Sequence, residues 1–359
     1  MIFYYLECRK LLVAVLTLKN TLNFFPTWQE RVFLYLPVSG VTVAPWLPPL
    51  VAFLIASFTT SAGVAGGVLL LPFQMSVLGF VSPSVSSTNL IYNITATPGG
   101  WYRYIREGRM VWPLVWVAIA GTLPGVFAGA WVRVNYLHDP GSFRVFAGLV
   151  LLYLGFRLLY DTFRANHGEN PIEGKFKRTA KASTEEGTAP FRCRLSAGLP
   201  AGAVIKEKKF TWREIEFEFW GERYSLSTFT VVLIAVAVGM LGGIYGIGGG
   251  ALIAPFLVAY LGLPVYAVAG ASLAVTFLTS LAGVCFYSIL PAMQAGALVQ
   301  TAPDWTLGLL FGAGGLIGTY AGARVQKYLP ERFIRATLGF LVTFLGAQYI
   351  LRYLGKLLA

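Results

Sequence analysis

Two apolar runs in this chain are too long to be single straight membrane helices. One extends from Leu47 to Gly79 and the other from Thr228 to Gly262. As one helix the first would measure about 50 Å, against a hydrocarbon core of about 30 Å. Each run carries a glycine cluster. The first reads Ser61-Ala62-Gly63-Val64-Ala65-Gly66-Gly67, and the second Gly246-Ile247-Gly248-Gly249-Gly250, with Pro255 following. Glycine costs roughly 1 kcal/mol against alanine inside a helix, so these are the places where the helices break. A break at membrane depth leaves backbone N–H and C=O groups that lipid cannot satisfy. It survives only where it is buried in protein or lines a polar cavity. The two clusters are therefore the first places to look for a binding site.

Composition supports the membrane reading. The chain is 56% hydrophobic and only 12% charged, with a strongly positive mean hydropathy. Those values lie outside the soluble range and predict an all-α polytopic membrane protein. A net charge of +12 would point to nucleic acid in a soluble domain. Here it follows from the Lys and Arg that membrane proteins collect in cytoplasmic loops, so no nucleic-acid partner is expected. Cys8, Cys193 and Cys285 are scattered, with no metal-ligand spacing and no disulfide framework. Leu11–Leu18 after Arg9-Lys10 is short for a signal-peptide core, and no cleavage is expected.

In chain order, residues 1–45 read as an N-terminal interfacial arm in which Trp28, Arg31 and Tyr35 mix with apolar residues. A first transmembrane repeat occupies 46–160, with spans after the broken run at about Ser84–Tyr104, Val111–Val132 and Phe143–Tyr160. Residues 161–227 hold ten of the sixteen acids and twelve of the twenty-eight Lys and Arg, and read as a soluble cytoplasmic insert. Within it, Phe210, Trp212, Ile215, Phe217 and Phe219 alternate with charged neighbours, which predicts a small β-hairpin over Phe210–Leu226. The second repeat, 228–359, continues with spans at Ala267–Leu290, Trp305–Val325 and Phe333–Leu354.

A shift of 183 residues lays one half on the other. Gly63, Gly66, Gly67 and Pro72 fall on Gly246, Gly249, Gly250 and Pro255, and Gly79 falls on Gly262. In the next span Asn89, Asn93 and Thr97 fall on Ser272, Thr276 and Ser280. A spacing of four keeps residues on one helix face, so each half carries a polar stripe beside its glycine break. Later spans carry Gly121, Gly125, Gly129 and Gly314, Gly318, Gly322, which are faces for close helix packing. Loop charges favour inverted copies. Arg103, Arg106 and Arg109 follow the second segment of the first half, whereas Tyr287–Asp304 holds no Lys or Arg. Arg324, Lys327, Arg332 and Arg335 oppose only Arg133 and Arg144. This places the insert in the cytoplasm, although it also places Arg9, Lys10, Lys19 and Arg31 of the arm outside.

Helices that restart after each break aim partial positive charge into the protein, which makes an anion site without a buried cation. Gly66, Gly67, Gly249 and Gly250 would supply backbone donors there. Asn89, Asn93, Ser272 and Thr276 would supply neutral side-chain donors. The rival reading is that the glycines only permit close packing and the hydroxyls bond the carbonyl four residues earlier. No Asp or Glu lies inside a span, which argues against a carboxylate proton relay. No Ser/His or His-x-x-x-His pairing occurs, so no catalytic residue, metal ligand or cofactor is assigned. Tyr104, Trp101 and Trp112 fit an interfacial belt, and Arg157 reads as a snorkelling side chain.

The Gly246–Gly250 motif with Pro255, its weaker partner at Gly63–Pro72, the duplicated four-segment hydropathy and the lead-in Tyr35-Leu36-Pro37-Val38-Ser39-Gly40 resemble the sulfite exporter TauE/SafE family over roughly 35–355. The resemblance implies a multi-pass permease of the cell (inner) membrane for a small sulfur-containing anion such as sulfite, thiosulfate or an organosulfonate, working by alternating access. Ala65 stands where a motif glycine is usual, and Ser61 and Ala62 replace an aromatic-containing lead, which leaves the substrate open. The alternatives are a permease for another anion or a neutral solute, and a membrane anchor that recruits a partner through the insert. Oligomeric state is also open.

Overall fold

A computed structural model describes residues 33–137, 139–164, 204–293, 301–326 and 331–357. The expectations for residues 1–32 of the arm and for residues 165–203 of the insert lie outside the described residues. Two short strands, β1 (Leu34–Leu36) and β2 (Val41–Val43), lead into α1 (Leu47–Ser61) and α2 (Gly67–Ser76). Then come α3 (Ser84–Arg106), α4 (Trp112–Asn135) and α5 (Pro140–Arg164). A three-stranded sheet follows, β3 (Ile205–Phe210), β4 (Glu214–Phe219) and β5 (Glu222–Ser227). The chain continues through α6 (Thr228–Tyr245), α7 (Gly250–Leu261), α8 (Val265–Met293), α9 (Trp305–Gln326) and α10 (Glu331–Leu357). Among the described residues, five helices are long and apolar enough to cross a membrane. They are α4, α5, α6, α8 and α9; α3 falls below that hydropathy because of its polar stripe.

Both long runs break at their glycine clusters. α1 gives way to α2 across Ala62–Gly66, and α6 to α7 across Gly246–Gly249. Residues 34–43, read in sequence as part of the arm, form an antiparallel hairpin whose Leu36, Val41 and Val43 are buried. The insert holds a three-stranded antiparallel meander rather than one hairpin. Ile215, Phe217 and Phe219 point inward as the alternation requires. Trp212 does not join them and is 96% exposed. It lies in the β3–β4 turn, closed by Thr211 N–H donating to the Glu214 carbonyl, so it has no place on a pleated face.

Glycine faces set the helix packing. Gly314, Gly318 and Gly322 of α9 lie against Pro49, Phe53 and Ser57 of α1, in the same order, so these helices run parallel. Gly121, Gly125 and Gly129 of α4 meet Val232, Val236 and Met240 of α6 in the same way. The backbones approach so closely that a β-carbon at Gly318 would sit 2.6 Å from the Phe53 carbonyl oxygen. At that range Cα–H groups face carbonyl oxygens, a weak attraction that recurs along each seam. α3 and α8 cross antiparallel, with Gly100 beside Leu273 and Gly283 beside Leu90. α5 and α10 also pair antiparallel, Gly155 against Thr343 and Gly339 against Leu159.

These contacts define two faces. On the sheet face, Ile205 N–H donates to the Gly108 carbonyl at 2.9 Å, and Trp112 N–H to the Glu207 carboxylate at 2.8 Å. α4 and α6 begin there and α3 and α9 end there. On the hairpin face, Ser39 N–H donates to Asp304 at 3.2 Å, and Ser87 donates to the Thr301 carbonyl at 2.7 Å. α1, α3 and α9 begin there. Corresponding helices of the two halves, α1 and α6, α3 and α8, α4 and α9, therefore run in opposite directions. A leucine at Gly318 is expected to lower the thermal midpoint far more than a leucine at Gly79. At Gly79 an added side chain meets open space, and costs only the roughly 1–2 kcal/mol of left-handed backbone. Scanning fluorimetry of the purified variants checks the difference.

Candidate functional site at the two helix breaks

The two breaks share one construction. Gly63 and Gly246 both hold left-handed backbone, with φ of 76° and 78°, a conformation glycine adopts without a Cβ penalty. Val64 N–H returns to the Thr59 carbonyl, and Ile247 N–H to the Gly242 carbonyl, both at 3.0 Å. That closes the last turn of α1 and of α6 at matching positions. The polar stripes also meet the breaks at matching positions. Asn89 Nδ2 donates to the Gly67 carbonyl at 3.3 Å, and Ser272 Oγ to the Gly250 carbonyl at 2.8 Å. Both pairs are separated by 22 residues in the chain.

Asn89 does more than serve its own half. The same Nδ2 donates to the Gly246 carbonyl at 3.0 Å, and Asn93 Nδ2 donates to the Ile247 carbonyl at 2.7 Å. One side-chain amide thus holds both breaks, and the two clusters lie side by side. Gln74 Nε2 of α2 donates to Asn89 Oδ1 at 3.4 Å, which orients the amide. Pro72 in α2 cannot donate to the Val68 carbonyl one turn back; Tyr245 of the other half donates to that carbonyl instead, at 3.3 Å. Asn89, Asn93, Ser272 and Thr276 are all 0% exposed.

All eight expected site residues, Gly66, Gly67, Asn89, Asn93, Gly249, Gly250, Ser272 and Thr276, line these breaks. In this packed arrangement the side-chain donors are occupied within the protein. Thr276 bonds the Ser272 carbonyl and Thr97 the Asn93 carbonyl, each at 2.7 Å and each four residues back. The glycines touch the stripes directly: a β-carbon at Gly67 would meet Asn93 Oδ1 at 2.8 Å and Asn89 Nδ2 at 3.0 Å. Four buried polar atoms beside the breaks have no hydrogen-bond partner. They are Tyr92 Oη next to Gly66, Asn93 Oδ1 next to Gly67, Ser86 Oγ next to Gly246, and Ser280 Oγ next to Gly248. Neither restart helix has an acid in its first turn to neutralise its dipole. Behind the restart helices lies a small apolar cavity lined by Val64, Val68, Leu252 and Pro255.

Sequence reasoning missed the closures at each end. Tyr104, expected in an interfacial belt, is 0% exposed and donates to Gln326 Oε1 at 2.7 Å. Arg109, counted as a loop charge, is buried too. It donates to the same Gln326 oxygen at 3.1 Å, pairs with Glu107, and stacks 4.7 Å from the Tyr104 ring. At the hairpin face Tyr287 and Arg133 are both fully buried and within electrostatic reach of each other. The signal was present in the chain. Tyr104 falls on Tyr287 under the shift of 183, and Gln326 falls on Arg133 when Gly322 is laid on Gly129.

Residues 49–349 match the family model described as sulfite exporter TauE/SafE. The chain belongs to the TauE/SafE family. It is also 21% identical over 297 residues to the probable membrane transporter protein YunE of Bacillus subtilis (strain 168), a match that covers 80% of this chain and 90% of that one. No solved structure matches. As a TauE/SafE member the protein is a multi-pass membrane transporter, and the two breaks lie within the matched residues. Asn89→Leu is expected to leave the Gly67 and Gly246 carbonyls bare, at about 1–3 kcal/mol for each buried group left unpartnered. Ser272→Ala bares one carbonyl and is expected to cost about half as much. Thermal unfolding of the two variants tests the ratio.

Proposed function

We propose that this chain is a permease for a small sulfur-containing oxyanion, such as sulfite, thiosulfate or an organosulfonate. Cargo is bound between the two helix breaks and released by alternating access. The observation that carries this reading is the Asn89 amide, which bonds Gly67 of one break and Gly246 of the other. A solute arriving there exchanges with those carbonyls. It accepts from Asn89, Asn93, Ser272 and Thr276 and from the backbone of Gly66, Gly67, Gly249 and Gly250. The unpartnered Tyr92 hydroxyl is a further donor at the same place. In this reading the arrangement is the occluded one: the Tyr104–Gln326–Arg109 contact closes the sheet face, and the buried Tyr287 and Arg133 fill the hairpin face.

The oxyanion class rests on the family's description as sulfite exporters and on neutral donors at two helix starts. Segments 46–160 and 228–359 act as inverted copies, which is supported by the opposed directions of corresponding helices. The sheet face is cytoplasmic, since Arg103, Arg106, Arg324 and the sheet's Lys206, Lys208 and Lys209 gather there. The membrane is the cell (inner) membrane, and no chemical reaction is catalysed.

Purified protein in liposomes is expected to take up sulfite, thiosulfate and methanesulfonate in preference to acetate and glycerol. Asn93→Ala is expected to slow that uptake at least about tenfold, the loss of one hydrogen bond at about 1.4 kcal/mol. Equal uptake of the neutral solute would overturn the anion reading. Orientation is checked in spheroplasts with a cysteine at position 212 in a chain otherwise free of cysteine. An impermeant maleimide is expected to label it only after the cells are opened.

A further inference from the structure

Arg133 lies in the last turn of α4 and is 0% exposed, among the largest fully buried side chains in the protein. Its Nη1 donates to the Leu137 carbonyl, and its guanidinium sits 3.7 Å from the centre of the Phe143 ring. Nε and Nη2 have no hydrogen-bond partner. Among the described residues no carboxylate pairs with it; the acids that form ion pairs are Glu107, Glu214 and Glu218, each with other cations. An unpaired buried charge is costly. The helix C-terminus and the aromatic face offset only part of this. Two aimed N–H groups remain without an acceptor.

The surroundings connect this cation to the breaks. The Tyr287 hydroxyl lies within electrostatic reach of Arg133 and donates to the Gly243 carbonyl at 3.4 Å. The Ser86 hydroxyl lies beside Tyr287. Ser86 packs directly on Gly246, whose carbonyl Asn89 holds. A file of polar groups therefore runs from Arg133 through Tyr287 and Ser86 to the second break. The other mouth is built differently. The position equivalent to Arg133 is the neutral Gln326. The arginine that reaches Gln326, Arg109, pairs with Glu107, which also pairs with Arg103 at 2.6 Å. At one mouth the arginines share a carboxylate; at the other the guanidinium has none.

We propose that Arg133, with Tyr287, is a docking site for the permease's oxyanion at the hairpin face, a step outside the helix-break site. This rests on the permease reading above. A guanidinium fork presents two parallel donors, which match two oxygens of a sulfite, thiosulfate or sulfonate group. Phe143 and the Leu137 carbonyl cover the fork in the occluded state and part from it when that mouth opens.

The test uses the full chain with Arg133→Gln and Arg133→Lys. In liposomes, Arg133→Gln is expected to raise the uptake KM for methanesulfonate and thiosulfate about tenfold or more, as loss of a charge-assisted hydrogen bond does, with kcat little changed. Arg133→Lys keeps the charge without the fork and is expected to fall between. In detergent, millimolar methanesulfonate is expected to raise the thermal midpoint of the wild type but not of Arg133→Gln. An unchanged KM and an unchanged anion response in either folded variant overturn the proposal. So does a lower midpoint in the absence of anion with KM unaltered, since that marks Arg133 as a helix cap only. If the wild type transports none of the sulfur oxyanions yet loses its anion stabilisation in Arg133→Gln, the cargo assignment fails and the docking site stands.

Discussion

Interrupted backbone inside a membrane protein must find its hydrogen bonds within the protein, and the rest of this structure is arranged around that need. Each break frees carbonyls that neither lipid nor a continuing helix can serve. Asn89 and Asn93 serve three of them, on both sides of the pseudo-symmetric pair. Asparagine suits the task because its amide offers two donors on a short stem. Ser272, at the equivalent place, offers one donor and serves one carbonyl. The polar bridge is therefore lopsided: α3 supplies most of it and α8 little. The same economy creates the opportunity for transport. Donors that hold carbonyls in the absence of cargo are the donors that cargo can take over, provided that water entering with the cargo serves the carbonyls they release.

Packing then decides what can move. α1 lies on α9 and α6 lies on α4, each pair joined backbone to backbone along a glycine seam. Each broken run is thus bound to a span from the opposite sequence half. Two packed units result, α1 with α9 and α6 with α4, neither a continuous stretch of chain, and α3 joins the first through Gly99 against the Leu316 carbonyl. Between them stand α3 and α8, which cross antiparallel and carry the polar stripes. Under the proposed alternating access, rotation of one unit against the other would work on the α3–α8 crossing. There the contacts are Leu273 against Gly100 and Leu90 against Gly283, softer than the glycine–carbonyl seams. Tyr104 bonds Gln326 from the end of α3 to the end of α9, and Tyr287 of α8 lies within electrostatic reach of Arg133 at the end of α4.

Much of this was legible in the chain. The glycine clusters located both breaks, because glycine's conformational freedom is needed where Gly63 and Gly246 turn left-handed. The spacing of four in Asn89, Asn93 and Thr97 placed one stripe on one face, and the small-xxx-small faces became the two seams. What the chain did not reveal was which partner each polar residue chooses. Asn89 reaches Gly246 across 157 residues, and no local pattern encodes that contact. Tyr104, Arg109 and Arg133 were misread for a related reason. Near a helix end a long polar side chain reads the same whether it snorkels to water or folds back into the protein. Trp212 was misassigned because alternation continued by chance into a turn, where side-chain period has no meaning.

If the proposed oxyanion permease reading holds, the distribution of charge along the route follows from what a carrier requires. A cation at the central site would hold a small oxyanion too tightly to let it go, since attraction strengthens as water is excluded. Neutral donors and helix starts bind enough to select and little enough to release, the balance any conducting pathway must strike. A cation is tolerable only where its anion moves on to further donors, and Arg133 is so placed, one tyrosine and one serine away from Gly246. At the opposite mouth Glu107 pairs with both Arg109 and Arg103, so neither guanidinium is left without a carboxylate. The asymmetry between two otherwise equivalent closures thus biases where an anion first meets the protein. It leaves the direction of net movement to the concentrations on either side, because a binding site alone cannot make an equilibrium one-way.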